Sequence, residues 1–171
     1  MSENLEIIYK LVHVGRKTKV VKGGRRFSFA AIVIAGNQNG MVGIGTGRAT
    51  EVQEANEKAK NDAMKNLAKI PLKEGRTLHH DIVAKYGAGK VVMRSAAPGT
   101  GIIAGGPIRA VCEALGVKDI VVKSLGSSNP HNMIKAALAA LQSTRSPKYI
   151  AEMRGKKIGE IVSRREKAST N

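Results

Sequence analysis

Residues 71–76 break this sequence in two. Pro71 cannot continue a helix and Gly75 favours a turn, so the apolar periodicity that runs up to Ile70 has to restart at Leu78. Each side of the break carries strands and helices of its own, which makes residues 72–76 a linker between two units. In a chain of 171 residues each unit is small. A domain near 60 residues buries only about 60% of the surface that its unfolded chain exposes, so two such halves must lean on each other or on a partner. The expected architecture is α+β in two small domains, 1–72 and 73–145, followed by a basic tail at 146–171.

In the first unit, residues 7–14 alternate in part and read as a strand, followed by a basic, glycine-containing loop. Residues 27–35 and 41–46 are rich in β-formers and flank Asn37-Gln38-Asn39-Gly40, a hairpin signal. Thr50 and Gln53 make a capping box for a helix whose inward face is Val52, Ala55, Ala59, Ala63 and Leu67, ended by Pro71. In the second unit, residues 80–86 and 90–96 read as two strands joined at Gly87-Ala88-Gly89. A glycine-rich stretch, 99–106, leads into a helix with Pro107 in its first turn, a stripe of Ile108, Val111, Cys112 and Leu115, and Gly116 as its stop. Residues 120–122 form a short strand, and Asn129-Pro130 opens a helix with Ile134, Ala137, Leu138 and Leu141 inward.

Charge constrains function most. The chain carries 29 Lys and Arg against 13 Asp and Glu, a formal net charge of +16 that suits a polyanionic partner. Residues 15–26 hold six bases and no acid, and residues 145–171 hold eight bases, among them Lys156-Lys157 and Arg164-Arg165, against three acids. With no Trp, two Phe and three Tyr, stacking of single-stranded bases has few residues to use, and contact with backbone phosphate fits better. Cys112 is the only cysteine, which excludes an internal disulfide and a cysteine-rich zinc site and suits a reducing compartment. No apolar run approaches the roughly 18 residues of a membrane span. The start of the chain has no apolar leader core, so neither a membrane span nor a targeting address is expected.

Several short patterns invite an enzyme reading and fail in context. Gly99-Thr100-Gly101-Ile102-Ile103-Ala104 matches a dinucleotide fingerprint, but Gly105-Gly106-Pro107 delays the helix until after it and Asp119 precedes its strand. Gly87-Ala88-Gly89-Lys90 is half a phosphate loop, with Val91 where Ser or Thr should hold magnesium. His79, His80 and Asp81 are adjacent on an extended segment and point to opposite faces, with no second ligand cluster, so no metal site is expected. Cys112 lies on an apolar stripe without a histidine nearby in sequence and reads as a core thiol. What remains is Lys22-Gly23-Gly24-Arg25-Arg26, where two glycines let the main chain approach a phosphate while flanking bases supply charge. A sheet with one packed helix and such a loop can read duplex RNA by shape. Composition and spacing lead to a backbone-reading nucleic-acid binder without naming the nucleic acid.

The run KGGRRFSFAAIVIAGNQNGMVGIGTGRATEVQEANEKA, residues 22–59, resembles the signature of bacterial small-subunit ribosomal protein five. PGTGIIAGGPIRAVCEALGVKDIVVKSLGSSNPHN, residues 98–132, resembles that family's second domain, and RGKKIGEIV resembles its ending. The resemblance implies an N-terminal double-stranded-RNA-binding-like domain of sheet plus helix and a C-terminal α/β domain with a left-handed βαβ crossover. It implies contact with 16S ribosomal RNA near the spectinomycin pocket, with Arg16, Lys17, Lys19, Lys22, Gly23, Gly24, Arg25, Arg26 and Arg48 as the expected RNA-binding residues. Thr100, Gly101 and Arg109 would lie at the contact with small-subunit protein four, where translational accuracy is influenced, and the tail side of the second domain would meet protein eight. The whole would help shape the channel where messenger RNA enters, in the cytoplasm and bound to the ribosome, with no cofactor and no turnover. Gly15-Arg16-Lys17 stands where Asn-Arg-Val is common in the family, Asn37 where Asp is usual, Asn56 where an apolar residue is usual and Ala137 where Thr is frequent. Gly15 and Lys17 bear on how the first loop meets RNA, and Asn56 weakens helix packing if it points inward. Two other readings compete with this one: a free RNA chaperone using the same surface, and a dinucleotide-dependent reductase at residues 99–104.

Overall fold

The structure, a computed structural model, describes residues 6–162. The first unit consists of β1 (Ile8–Val21), β2 (Gly24–Gly36), β3 (Met41–Ala49), α1 (Val52–Lys65) and β4 (Ala68–Lys69). Its four strands form one antiparallel sheet in the order β1-β2-β3-β4. The expected basic loop after Val14 is not a loop. β1 continues to Val21 and pairs with β2 down to Val21↔Gly24, leaving only Lys22 and Gly23 as the turn. The outer half of this hairpin buries neither face, so it lacks the apolar alternation that marks a strand in sequence. Thr18, Val20, Val21, Phe27 and Phe29 hold it extended by β-propensity.

Helix α1 starts at Val52 with Glu51 as its N-cap and no side-chain cap bond, so the expected Thr50–Gln53 box does not form. It ends at Lys65, short of Pro71, because Ala68 and Lys69 leave to pair with Val42 and Met41. Its buried stripe is narrower than the sequence suggests: Ala55, Ala59 and Ala63 are buried, whereas Val52 is 39% exposed. The reason lies in β3. A Cβ on Gly43, Gly45 or Gly47 would come within 2.3, 2.0 and 2.0 Å of the Ala63, Ala59 and Ala55 carbonyl oxygens, so helix and strand meet backbone to backbone. The side-chain Oδ1 of Asn56 is buried without a partner, which is the packing defect expected of a polar residue here.

The second unit contains β5 (Ile82–Tyr86), β6 (Gly89–Ser95), β7 (Ile102–Ile103), α2 (Gly106–Leu115), β8 (Ile120–Ser124), α3 (Pro130–Gln142) and α4 (Pro147–Arg154). The strand order is β5-β6-β8-β7, antiparallel except for β7 and β8, which run parallel with α2 between them. Two residues among glycines gave no sequence signal for β7. The segment expected as a basic tail begins with a helix, α4. The Ser146 side chain accepts a hydrogen bond from the Tyr149 amide (3.3 Å), Pro147 occupies the first turn and Gly155 closes the helix at φ 60°. Arg164 and Arg165 lie outside the described residues.

The two units share one core. Ile32, Ile34, Val42 and Ile44 of the first sheet are buried in the same cluster as Leu78, Met93, Ile108, Leu115 and Leu141. Ala31, Val33, Ala49, Ala55 and Ala59 form a smaller cluster under α1. The first sheet is thus covered by α1 on one face and by the second unit on the other. Main-chain bonds reinforce the junction: the amides of Gln38 and Gly40, at the β2–β3 turn, donate to the Ala114 and Leu115 carbonyls (3.0 Å each) at the end of α2. Those carbonyls would otherwise lack helical partners. The segment at 73–77 is equally fixed, because the Arg76 carbonyl accepts from the Lys118 amide at 2.9 Å and its guanidinium lies 3.6 Å from Asp119.

Candidate nucleic-acid interface

Strand pairing sorts the basic residues onto two faces. Residues opposite one another in an antiparallel pair point the same way. Lys17 pairs with Ser28, Lys19 with Arg26, and Arg48 with Ala30, so Lys17, Lys19, Arg26 and Arg48 share the face turned away from α1. The Arg48 Nε donates to Ser28 Oγ at 2.9 Å, which holds the guanidinium flat along this face. Arg16 and Arg25 lie on the other face, where the Arg16 guanidinium stacks 3.7 Å from the Phe27 ring centroid. Lys22 sits at the tip. Gly24 has φ +128°, a conformation open to glycine, and a Cβ on Gly23 would meet nothing within 4 Å, so the tip backbone stands clear.

Among the described residues several acids are engaged away from the ribbon. Glu54 pairs with Lys58, Glu113 with Lys10 and Arg109, and Asp119 with Arg76. None of them pairs with Lys17, Lys19, Lys22, Arg25 or Arg26, all of which are exposed. The ribbon therefore projects unneutralised positive charge, the arrangement that binds phosphate with release of counterions.

Where the ribbon joins the body a cleft of about 390 Å³ opens, with His13, Lys17, Thr46 and Arg48 on one side and Asn129 and His131, in the first turn of α3, on the other. Gly15 and Lys17, two of the departures from the family pattern, both line it. Sequence reasoning missed His13, Thr46 and His131, since three distant segments build the cleft and none of them carries a motif.

Thr100, Gly101 and Arg109 form a separate group on the second unit. The Thr100 hydroxyl donates to the Ala97 carbonyl (2.9 Å), and Gly101, at φ 73°, donates its amide to Asp119 (2.9 Å). Arg109 reaches Glu113 at 2.9 Å and the Ile102 carbonyl at 3.4 Å, which brings it beside this loop. Hydrogen bonds from Lys10 and then Arg109 hold the Glu113 carboxyl below its usual 4.5.

The enzyme-like patterns resolve into structure. Helix α2 begins at Gly106, after the fingerprint, and Asp119 is 4% exposed and spent on Gly101 and Arg76. Residues 87–88 are the β5–β6 turn. Both ring nitrogens of His80 are engaged, Nδ1 with the Asp81 carbonyl (3.0 Å) and Nε2 with the Arg145 amide (3.2 Å). Among the described residues no three His, Cys, Asp or Glu side chains gather as metal ligands, and no helix is long and apolar enough to cross a membrane. Burial, with a smaller contribution from Glu113, pushes the Cys112 thiol up to about 12, so it stays protonated and inert.

Two family patterns match this chain: "Ribosomal protein S5, N-terminal domain" over residues 7–71 and "Ribosomal protein S5, C-terminal domain" over residues 84–154. The chain belongs to the ribosomal protein S5 family. This S5-family chain is accordingly a structural protein and not an enzyme. It is 60% identical to the small ribosomal subunit protein uS5 of Granulibacter bethesdensis over 94% of its own length and 85% of the relative's. It is 57% identical to that of Pelagibacter ubique, covering 93% and 94% of the two chains, and 58% identical to that of Caulobacter vibrioides, covering 94% and 80%.

Proposed function

We propose that this chain is built into the small ribosomal subunit, where its ribbon grips 16S ribosomal RNA through Arg16, Lys17, Lys19, Lys22, Arg25, Arg26 and Arg48 and the exposed backbone of Gly23 and Gly24. The observation that supports this reading is the set of exposed bases on a paired two-stranded projection, none of which forms an ion pair with the acids whose salt bridges are seen among the described residues. Strand pairing fixes the spacing of these bases, which lowers the conformational freedom lost on binding. Thr100, Gly101 and Arg109 make the contact with small-subunit protein four, and the α4 side contacts protein eight. Through these contacts the protein supports subunit assembly and translational accuracy beside the channel where messenger RNA enters, in the cytoplasm. In this reading residues 1–72 are the RNA-gripping domain, 73–145 the protein-contacting domain and 146–171 its basic extension.

The deciding experiment is sucrose-gradient fractionation of a native lysate with and without a high-salt wash. Salt strips passengers held by charge alone, whereas a component also held by packing stays. Stoichiometric retention with the small subunit supports the proposal. Release to the light fractions makes the chain a free RNA chaperone instead.

A further inference from the structure

The cleft at the base of the ribbon is the least explained feature of the molecule. Its walls belong to different units, Lys17 and Arg48 to the first sheet and His131 to α3. Among the described residues no carboxylate lines it. A second cleft of similar size, about 390 Å³, lies between β3 and α3, and its lining includes both an acid, Asp62, and a base, Lys135. The charged residues of the first cleft are thus bases alone, whereas the second is lined by charges of both signs. The ribbon leads into the basic one. Lys19, Lys17, Gly15 and His13 follow one another on the same face of β1, about 7 Å apart at alternate residues. Small residues, Gly15, Ala30 and Gly47, line the cleft beside Ile32, which leaves room for a chain lying there.

We propose that the RNA strand held by the ribbon continues into this cleft, where Lys17 and Arg48 grip its phosphodiester backbone from the first unit and His131 closes on it from the second. The proposal rests on the ribbon's reading as an RNA-binding element and extends it across the domain junction. The ligand is then bridged by both halves. Burial, and next to it Lys135, lowers the affinity of the His131 ring for a proton, so at neutral pH it meets the backbone as a neutral hydrogen-bonding group and the fixed charge comes from the first unit. An acidic peptide would match the charge of the cleft, but Lys19 and Lys17 lead from the ribbon directly into it, which makes one continuous polyanion the better occupant.

The test measures binding of the full-length chain to transcribed 16S ribosomal RNA at several salt concentrations. Variants Lys17→Ala, His131→Glu and Arg25→Ala/Arg26→Ala are compared. An acid in the first turn of α3 favours the helix dipole, so His131→Glu should melt no lower than the parent, and lost binding is not lost folding. Lys17→Ala should flatten the slope of log K against log salt by about one unit. His131→Glu should weaken binding by about tenfold or more through repulsion of phosphate. The two changes combined should depart from additivity, since both act on one strand. If Arg25→Ala/Arg26→Ala weakens binding and His131→Glu does not, the ribbon reading stands and the cleft proposal falls. If none of the variants changes affinity, both fall. If His131→Glu leaves naked RNA binding intact and only prevents incorporation into assembled subunits, the cleft holds a protein and the proposal is overturned.

Discussion

Gly45 shows how little room single positions leave. A methyl group there would sit 2.0 Å from the Ala59 carbonyl oxygen and 2.2 Å from the Ala63 nitrogen, both backbone atoms that no rotamer change can move aside. Gly45→Ala should lift α1 off the sheet and cost about 1–3 kcal/mol or more, read as a fall in the urea midpoint. Glu113 governs a pH response. Its folded-state affinity for protons is depressed by Lys10 and Arg109, so the stability it contributes is present above its usual 4.5 and is lost as pH falls through the lower folded value. Glu113→Gln should flatten the acid limb of a thermal-melting profile while leaving alkaline melting behaviour parallel to the parent. At this scale much was legible. Asn129 and Gly116 cap their helices as their residue types suggest, because capping depends on local backbone geometry alone. The glycines of β3 were not, because what fixes them is a helix that returns over them later in the chain.

At the scale of elements, the ribbon, the proposed RNA-binding element, was only half visible in sequence. Its proposed phosphate-contacting core, Lys22 to Arg26, could be named from charge and glycine content, yet as part of a loop rather than of paired strands, because alternation reports burial and the outer half of this hairpin buries neither face. Pairing is what separates Lys17, Lys19, Arg26 and Arg48 from Arg16 and Arg25. Replacing Arg25 and Arg26 together by Ala should reduce the slope of log K against log salt for 16S ribosomal RNA by about one to two units. An unchanged slope removes both from the interface. Helix α4 was hidden for the opposite reason. Its high charge drew attention away from a Ser-Pro start and a glycine stop that mark a helix without reference to composition.

For the whole molecule, two halves around one core set the rules. The break at residues 71–76 was readable because proline and glycine act locally, whereas the burial of Ile32, Ile34 and Ile44 beneath the second unit depends on contacts that no local pattern encodes. Residues 1–72 expressed alone should therefore show poorly dispersed amide resonances and fast hydrogen exchange in β2 and β3. Adding residues 73–162 in trans should restore dispersion. A well-folded first half in isolation would mean that the shared core is dispensable.

The β2–β3 turn, whose amides seat on the last carbonyls of α2, also sets a timetable for synthesis. Residues 37–40 emerge early, but their acceptors belong to Ala114 and Leu115, and the rest of the core extends to Leu141. At ordinary elongation rates that is a wait of roughly 5 to 20 s with Ile32, Ile34 and Ile44 uncovered. During that interval the nascent chain exposes an apolar segment beside a strongly cationic one, and its first half matures only once the second has left the exit tunnel.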